Sequence, residues 1–325
     1  MSGRAAYQQS GGILGGNHAE CIETVRKTEL PQCVVELSDE YDRRVGDRDR
    51  FLWKWIHNLF DAFTLPCVPS ADLEEVKTTK TVFTMYITVL DDLADHFGDE
   101  ETFEQARRLP HAPESVRYDA PGVDTDILRF AEKLWTRVKG RLTDAPCYEA
   151  RRDVFQFDVR QALNAMDYAR VLNDNREIAN LAESRHHGPF NMVMFPYAGI
   201  DLMWTPDFDE TELGQLRSLL MDLQKMARIG NWVTTWEREL YEDDYTAGVV
   251  VEALERDIVT TDDDPERAIA AIRENGVADR FEEEWESRYR DALGERYDIE
   301  SFDVARLVRG MRTVMEHHVA SYGQK

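Results

Sequence analysis

Between Leu213 and Glu239 one row of residues recurs at three- and four-residue steps: Leu213, Leu216, Leu220, Leu223 and Ala227, then Asn231, Thr235 and Glu239. This spacing marks a long helix with one face turned to a core. The same period runs through most of the chain, and predicts helices at 40–64, 72–97, 99–108, 125–143, 148–173, 176–198, 210–242, 247–257, 265–274, 278–293 and 300–321. Proline-containing breaks fall between many of them, at Leu65-Pro66, Ala112-Pro113, Ala120-Pro121-Gly122, Ala145-Pro146, Thr205-Pro206 and Asp264-Pro265. No segment alternates over more than a few residues, so the expected fold class is all-α: a single-domain bundle of about ten helices. Residues 1–35 read as a loosely ordered tail and 36–325 as the helical domain.

A chain of 325 residues, 42% of them hydrophobic, has ample material for a core. No apolar run approaches the length of a membrane span, and the expected location is the cytoplasm. The four cysteines, Cys21, Cys33, Cys67 and Cys147, are scattered and form no C-x-x-C, which suits reduced thiols. A net charge of −24 argues against nucleic acid or an anionic membrane as the main partner. Few lysines and many acids would suit a salt-rich interior, where screening removes self-repulsion.

The question posed by the opening row is why a leucine stripe should end in an amide, a hydroxyl and a carboxylate. Asn231, Thr235 and Glu239 put three oxygen donors on successive turns of one face. Oxygen-only ligands select a hard cation, Mg²⁺ above all, and leave positions open for phosphate oxygens. A second such row closes the segment 81–95, TVFTMYITVLDDLAD. There Phe83, Ile87, Asp91 and Asp95 are four apart on one face, bordered by Thr84 and Thr88. Carboxylates at a helix C-terminus oppose the macrodipole, and a metal ion would compensate them. Two such rows, each continuing a core-facing stripe, imply an acidic rim above an apolar cavity. The helix-flanked histidine pairs, His186-His187 and His317-His318, lack a third ligand at useful spacing for zinc. The run at 241–245, YEDDY, reads as a solvated turn.

These residues resemble the class I terpene synthases, or terpene cyclases. That family carries D-D-x-x-D on one helix, here Asp91-Asp92-Leu93-Ala94-Asp95, and N-x-x-x-S/T-x-x-x-E further on, here Asn231, Thr235 and Glu239. A basic residue precedes the final Glu, here Arg238, and a diphosphate-sensing arginine stands 46 positions before the Asn, here Arg185. The resemblance spans most of residues 40–322. It departs in three places. Trp232 stands where the family often has Asp, the acidic linker near the sensor arginine is missing, and Tyr322 has no adjacent Arg. Arg309 or Arg312 is then the arginine available for that last contact.

The resemblance implies a carbon–oxygen lyase fed by a linear isoprenyl diphosphate, C15 or C20 by expectation. Three Mg²⁺ ions would grip the diphosphate through Asp91 and Asp95 on one side and Asn231, Thr235 and Glu239 on the other. Arg185 and Arg238 would donate hydrogen bonds to it. A water-excluding chamber would hold the allylic cation for cyclisation. Candidate walls are Phe83, Ile87, Thr88, Phe190 and Trp232, with Phe195, Tyr197 and Trp204 as further aromatic faces. Homodimerisation is expected by analogy only. The alternatives are an isoprenyl diphosphate synthase, which would need a second aspartate-rich motif, and a non-catalytic acidic helical scaffold.

Overall fold

The computed structural model describes residues 18–321 apart from 47 and 295, and excepting the side chains of His18 and Asp95. Among these residues the regular structure is helical, with fourteen α-helices and no strand. They are α1 His18–Lys27, α2 Gln32–Arg44, α3 Arg50–Phe63, α4 Leu73–Asp91, α5 Glu100–Ala106, α6 Thr125–Thr143 and α7 Tyr148–Asp174. There follow α8 Leu181–His187, α9 Met194–Met203, α10 Leu213–Tyr241, α11 Gly248–Glu255, α12 Pro265–Glu274, α13 Val277–Leu293 and α14 Val304–Ala320. The helix count exceeds ten because two expected segments are divided and α1 precedes the first of them. At 40–64 the division is Asp49, which caps α3 by accepting the Phe51 N–H at 2.8 Å. At 176–198 it is Asn180, which caps α8, and a 3₁₀ stretch, Gly188–Met192. Helix α1 and the start of α2 fall within the segment 1–35, and Val25 and Val34 are buried in the core.

Part of the acidic excess has a local use. Asp49, Asp99, Asp124, Asp264 and Asp303 each cap a helix N-terminus through a side-chain oxygen. There a negative charge also meets the positive end of the helix dipole.

Two apolar cores fill the bundle. One gathers Trp53, Phe60, Phe83, Tyr86, Phe130 and Phe155 around α3, α4, α6 and α7. The other gathers Leu216, Leu223, Trp232, Phe281, Trp285 and Met311 around α10, α13 and α14. Helix α9 serves both, giving Tyr197, Ile200 and Met203 to the first and Met194, Phe195, Ala198 and Leu202 to the second. A helix apolar on every side belongs in an interior. Its one carboxylate, Asp201, is buried against Lys80 of α4 at 2.5 Å and takes the Leu65 N–H at 3.0 Å. This pair ties α9, α4 and the α3–α4 connection together below the helix ends that carry the two acidic rows.

Candidate active site

From Val76 onward α4 is buried on every side except at Thr84, Thr88 and Asp91, which form a partly exposed line one above the other. Thr84 and Thr88 spend their hydroxyl protons on carbonyls one turn back, Lys80 O at 2.8 Å and Thr84 O at 2.9 Å. On α10 a matching line, Ala227, Asn231, Thr235 and Glu239, is partly exposed, with buried residues flanking the first three. Asp91 of the first expected row, and Asn231, Thr235 and Glu239 of the second, are therefore partly exposed on otherwise packed helices, while Phe83 and Ile87 of the first are buried.

The electrostatics bring the rows together. Burial pushes the Asp91 carboxyl up to about 6; the Asp92 charge adds to the rise, the guanidiniums of Arg48 and Arg228 oppose it, and Asp244 raises it again. Burial pushes Glu239 up to about 7, Asp244 adds to the rise, and Arg228, the Thr235 hydroxyl and Arg238 oppose it. Such influences fade over a Debye length, roughly 8–10 Å. One arginine and one aspartate act on both carboxylates, so Asp91 and Glu239 each lie within electrostatic range of Arg228 and Asp244. Asp244 is the third carboxylate of this group, and Arg228 is the cation that acts on both Asp91 and Glu239.

The middle aspartate is used differently. Asp92 is only 2% exposed and accepts hydrogen bonds from the Tyr41 hydroxyl and the Arg48 guanidinium. The helix widens there into one π-turn, Asp92–His96, closed by Phe97 N–H to Asp92 O at 2.8 Å. That turn separates Asp92, turned into the protein, from Asp91 on the partly exposed line. The Asp95 side chain lies outside the described residues, as does Tyr322.

Sequence reasoning missed Arg228 and Asp244. Arg228 is buried, its Nη1 donates to Asn231 Oδ1 at 2.8 Å, and its guanidinium lies 5.3 Å from the Trp232 ring centroid. The signal was present, because residues three apart share a helix face and 228 precedes 231. Asp244 lies in the turn read as solvated. Residues 241–243 are exposed, but Asp244 is drawn inward and its N–H bonds Glu239 O at 2.9 Å. Asp243 takes a left-handed backbone, φ 62°, and pairs with Arg176, whose guanidinium stacks 4.3 Å from the Tyr245 ring centroid. Asn173 accepts the Tyr245 N–H at 3.0 Å. Asn173 at the end of α7 and Arg176 just beyond it thereby clamp the turn that carries Asp244, a tertiary device with no sequence period.

Arg185 has a different setting. It is 44% exposed, donates to Glu284 at 2.7 Å, and is not among the leading charges acting on Asp91 or Glu239. It lines a cavity of about 460 Å³ beside the other flank of α10, with Lys225, Arg228 and Arg288 against Glu284, and with Phe190 and Trp232 as apolar wall. In an acidic protein this lining is strongly cationic and suits an anion. Arg228 lines this cavity and also acts on both Asp91 and Glu239. Arg238 is about half exposed, 3.9 Å from Glu239 and 3.6 Å from Glu242. Arg312 pairs with Glu286 at 2.9 Å and Arg309 with Asp303 at 3.5 Å.

Of the expected wall residues, Trp232 is buried between Gly188 and Gly248, where a β-carbon would stand 3.3 Å and 2.6 Å from its ring. Phe190 stacks on Phe195 at 6.1 Å. Phe83 is fully buried, 6.1 Å from Phe155 and 6.0 Å from Tyr197, and Ile87 is buried beside Thr88. Tyr197 also meets Phe60 edge-on at 5.1 Å and shares a 2.8 Å hydrogen bond with Thr84. An aromatic floor thus lies under the Thr84–Thr88–Asp91 line. Val193, at the break before α9, holds φ 49°, a conformation that costs a β-branched residue strain.

Among the described residues no three His, Cys, Asp or Glu side chains form a ready-made metal site. The donor set nevertheless fits Mg²⁺, which takes one or two carboxylates, keeps waters and accepts phosphate oxygens. Two partly buried carboxylates raised toward neutrality are what an added cation would relieve.

No protein-family model matches the chain, and no curated protein sequence matches it. Solved structures do. 2-Methylisoborneol synthase from Streptomyces coelicolor A3(2), in complex with Mg²⁺ and 2-fluoroneryl diphosphate, is similar with a TM-score of 0.53 at 14% identity, over 92% of this chain and 93% of that one. A mutant of the SVS_A2 protein, from ancestral sequence reconstruction, is similar with a TM-score of 0.52 at 11% identity, over 93% of this chain and 81% of that one. The chain has the all-α fold of the class I terpene synthases.

Proposed function

We propose that the protein is a Mg²⁺-dependent class I terpene synthase that ionises a linear isoprenyl diphosphate and cyclises the resulting allylic cation. The observation that supports this most is the pair of partly exposed polar lines, Thr84–Thr88–Asp91 on α4 and Asn231–Thr235–Glu239 on α10, with Arg228 and Asp244 acting on the carboxylates of both. Asp91 with Asp95 on one side, and Asn231, Thr235 and Glu239 on the other, would hold the metal. When bound, Mg²⁺ supplies charge neutralisation for the diphosphate leaving group.

The chain's own groups do the rest. Arg228 acts on the carboxylates of both lines and fits a bidentate role on diphosphate oxygens. Arg185, Lys225 and Arg288 give the adjoining cavity the charge to draw the anion in. Preorganised donors aimed at a developing anion favour heterolysis of the allylic C–O bond. Aromatic faces below Thr84 and Thr88 shield the cation from bulk water and stabilise it through their quadrupoles.

The test is incubation of the purified chain with C10, C15, C20 and C25 diphosphates, with and without Mg²⁺, followed by mass spectrometry. Mg²⁺-dependent cyclic terpene is the expected result. Diphosphate release without any terpene hydrocarbon or alcohol would exclude cyclisation, and elongated diphosphates would identify a prenyltransferase instead.

A further inference from the structure

The α10 face that carries Asn231, Thr235 and Glu239 holds two further polar side chains, Arg228 and Gln224. Seven residues are almost two helical turns, so Gln224 lies on the Asn231 face, roughly 10 Å deeper along the axis. It is 0% exposed, and neither its Nε2 nor its Oε1 finds a hydrogen-bond partner among the described residues. Other buried orphans among those residues, such as Trp53 Nε1 and Ser184 Oγ, are single atoms; here a whole carboxamide is left over.

Gln224 interrupts a leucine-rich stretch of α10. Its neighbours on the stripe are Leu220 and Leu223, both buried, and leucine or methionine would fill the same volume. An unmatched buried amide costs about 1–3 kcal/mol for each group left without a partner. Native proteins keep such groups chiefly where an ordered water satisfies them. A carboxamide can accept and donate at once, so it can fix both position and orientation of one water.

We propose that Gln224 holds a water molecule in the chamber floor below Asn231 and presents it to the carbocation, so that the enzyme releases a cyclic alcohol. This rests on the terpene synthase reading above and names its product class. Gln224 is a positioning residue, since an amide is too weak a base to take the proton. Its Oε1 accepts one hydrogen of the water and leaves an oxygen lone pair turned to the cation. That pair forms the new C–O bond, and the oxonium proton passes to the departed diphosphate, the strongest base in the chamber. Charge and atoms balance: substrate diphosphate ester and water become alcohol and protonated diphosphate.

The experiment uses the full chain with C10, C15 and C20 diphosphates and Mg²⁺ in H₂¹⁸O, with products and released diphosphate measured on each sample. The wild type should give a cyclic alcohol carrying ¹⁸O. Gln224→Met should lower the ratio of cyclic alcohol to cyclic hydrocarbon about 5-fold or more, the equivalent of losing one orienting hydrogen bond. Cyclic products from the wild type that contain no labelled alcohol would overturn the proposal while leaving the terpene synthase reading intact. An unchanged ratio in Gln224→Met would also overturn it. No diphosphate release from any substrate would overturn both. The wild-type labelling decides the matter even if the variant does not fold.

Discussion

Lys80→Met isolates the joint that sets the aspartate helix against the rest of the bundle. Lys80 Nζ lies 2.5 Å from Asp201 Oδ1 and 3.0 Å from Thr64 Oγ1, over the rings of Phe60 and Phe63. Both charges are essentially unexposed. Burial pushes Asp201 up to about 6 in spite of the lysine beside it, and pulls Lys80 down. Each charge is thus costly alone and tolerable only with the other. Methionine keeps most of the stem's volume and removes the ammonium, leaving Asp201, among the described residues, with the Leu65 N–H as its side-chain hydrogen bond. Breaking a buried pair from one side costs about 3–5 kcal/mol. Guanidinium unfolding followed by circular dichroism should show that loss in the midpoint with little change in slope. Lys80→Met combined with Asp201→Leu should recover at least half of it, because no bare charge then remains. A single variant as stable as wild type, or a double variant that loses the sum of both single changes, would refute the reasoning.

Other outcomes follow from the same structure. Asn231→Ala or Glu239→Ala should abolish turnover with helicity nearly intact, and Asp244→Asn should weaken Mg²⁺-dependent activity about 10-fold or more, the scale of a lost metal-site contact. Gly310→Ala would place a β-carbon 1.7 Å from Ala62 O, where α14 crosses α3, and should lower stability by about 3 kcal/mol or more in a thermal melt. The folded pKa values of Asp91 and Glu239 lie above their ordinary 3.8 and 4.5. The metal-free protein binds more protons than the unfolded chain between about pH 4 and 7, so their contribution to stability should fall as pH rises through that window. Added Mg²⁺ should raise the melting temperature more at pH 8 than at pH 5. With a charge of −24, molar KCl should also raise it.

The fold and the two rows were legible because both are periodic. The boundaries predicted at 125–143 and 265–274 match α6 and α12, where Asp124 and Asp264 cap the starts. Asp91, Asn231, Thr235 and Glu239 stood out because each continued an apolar stripe. What stayed hidden depends on tertiary placement. The left-handed Asp243 and its Arg176 clamp turn Asp244 toward Glu239, and no local pattern announces that. Arg185 has the right sequence offset, yet Glu284 from a helix about a hundred residues later takes its hydrogen bond. Gln224 looked like one polar residue in a leucine-rich helix until burial on all sides exposed its lack of partners.

The most direct test of the central claim is a crystal structure of the chain soaked with Mg²⁺ and inorganic diphosphate. The account predicts metal ions bridging diphosphate oxygens to Asp91 on one side and to Asn231, Thr235 and Glu239 on the other, with Arg228 released from Asn231 to the anion. Diphosphate bound elsewhere, or metal that leaves either row untouched, would contradict it.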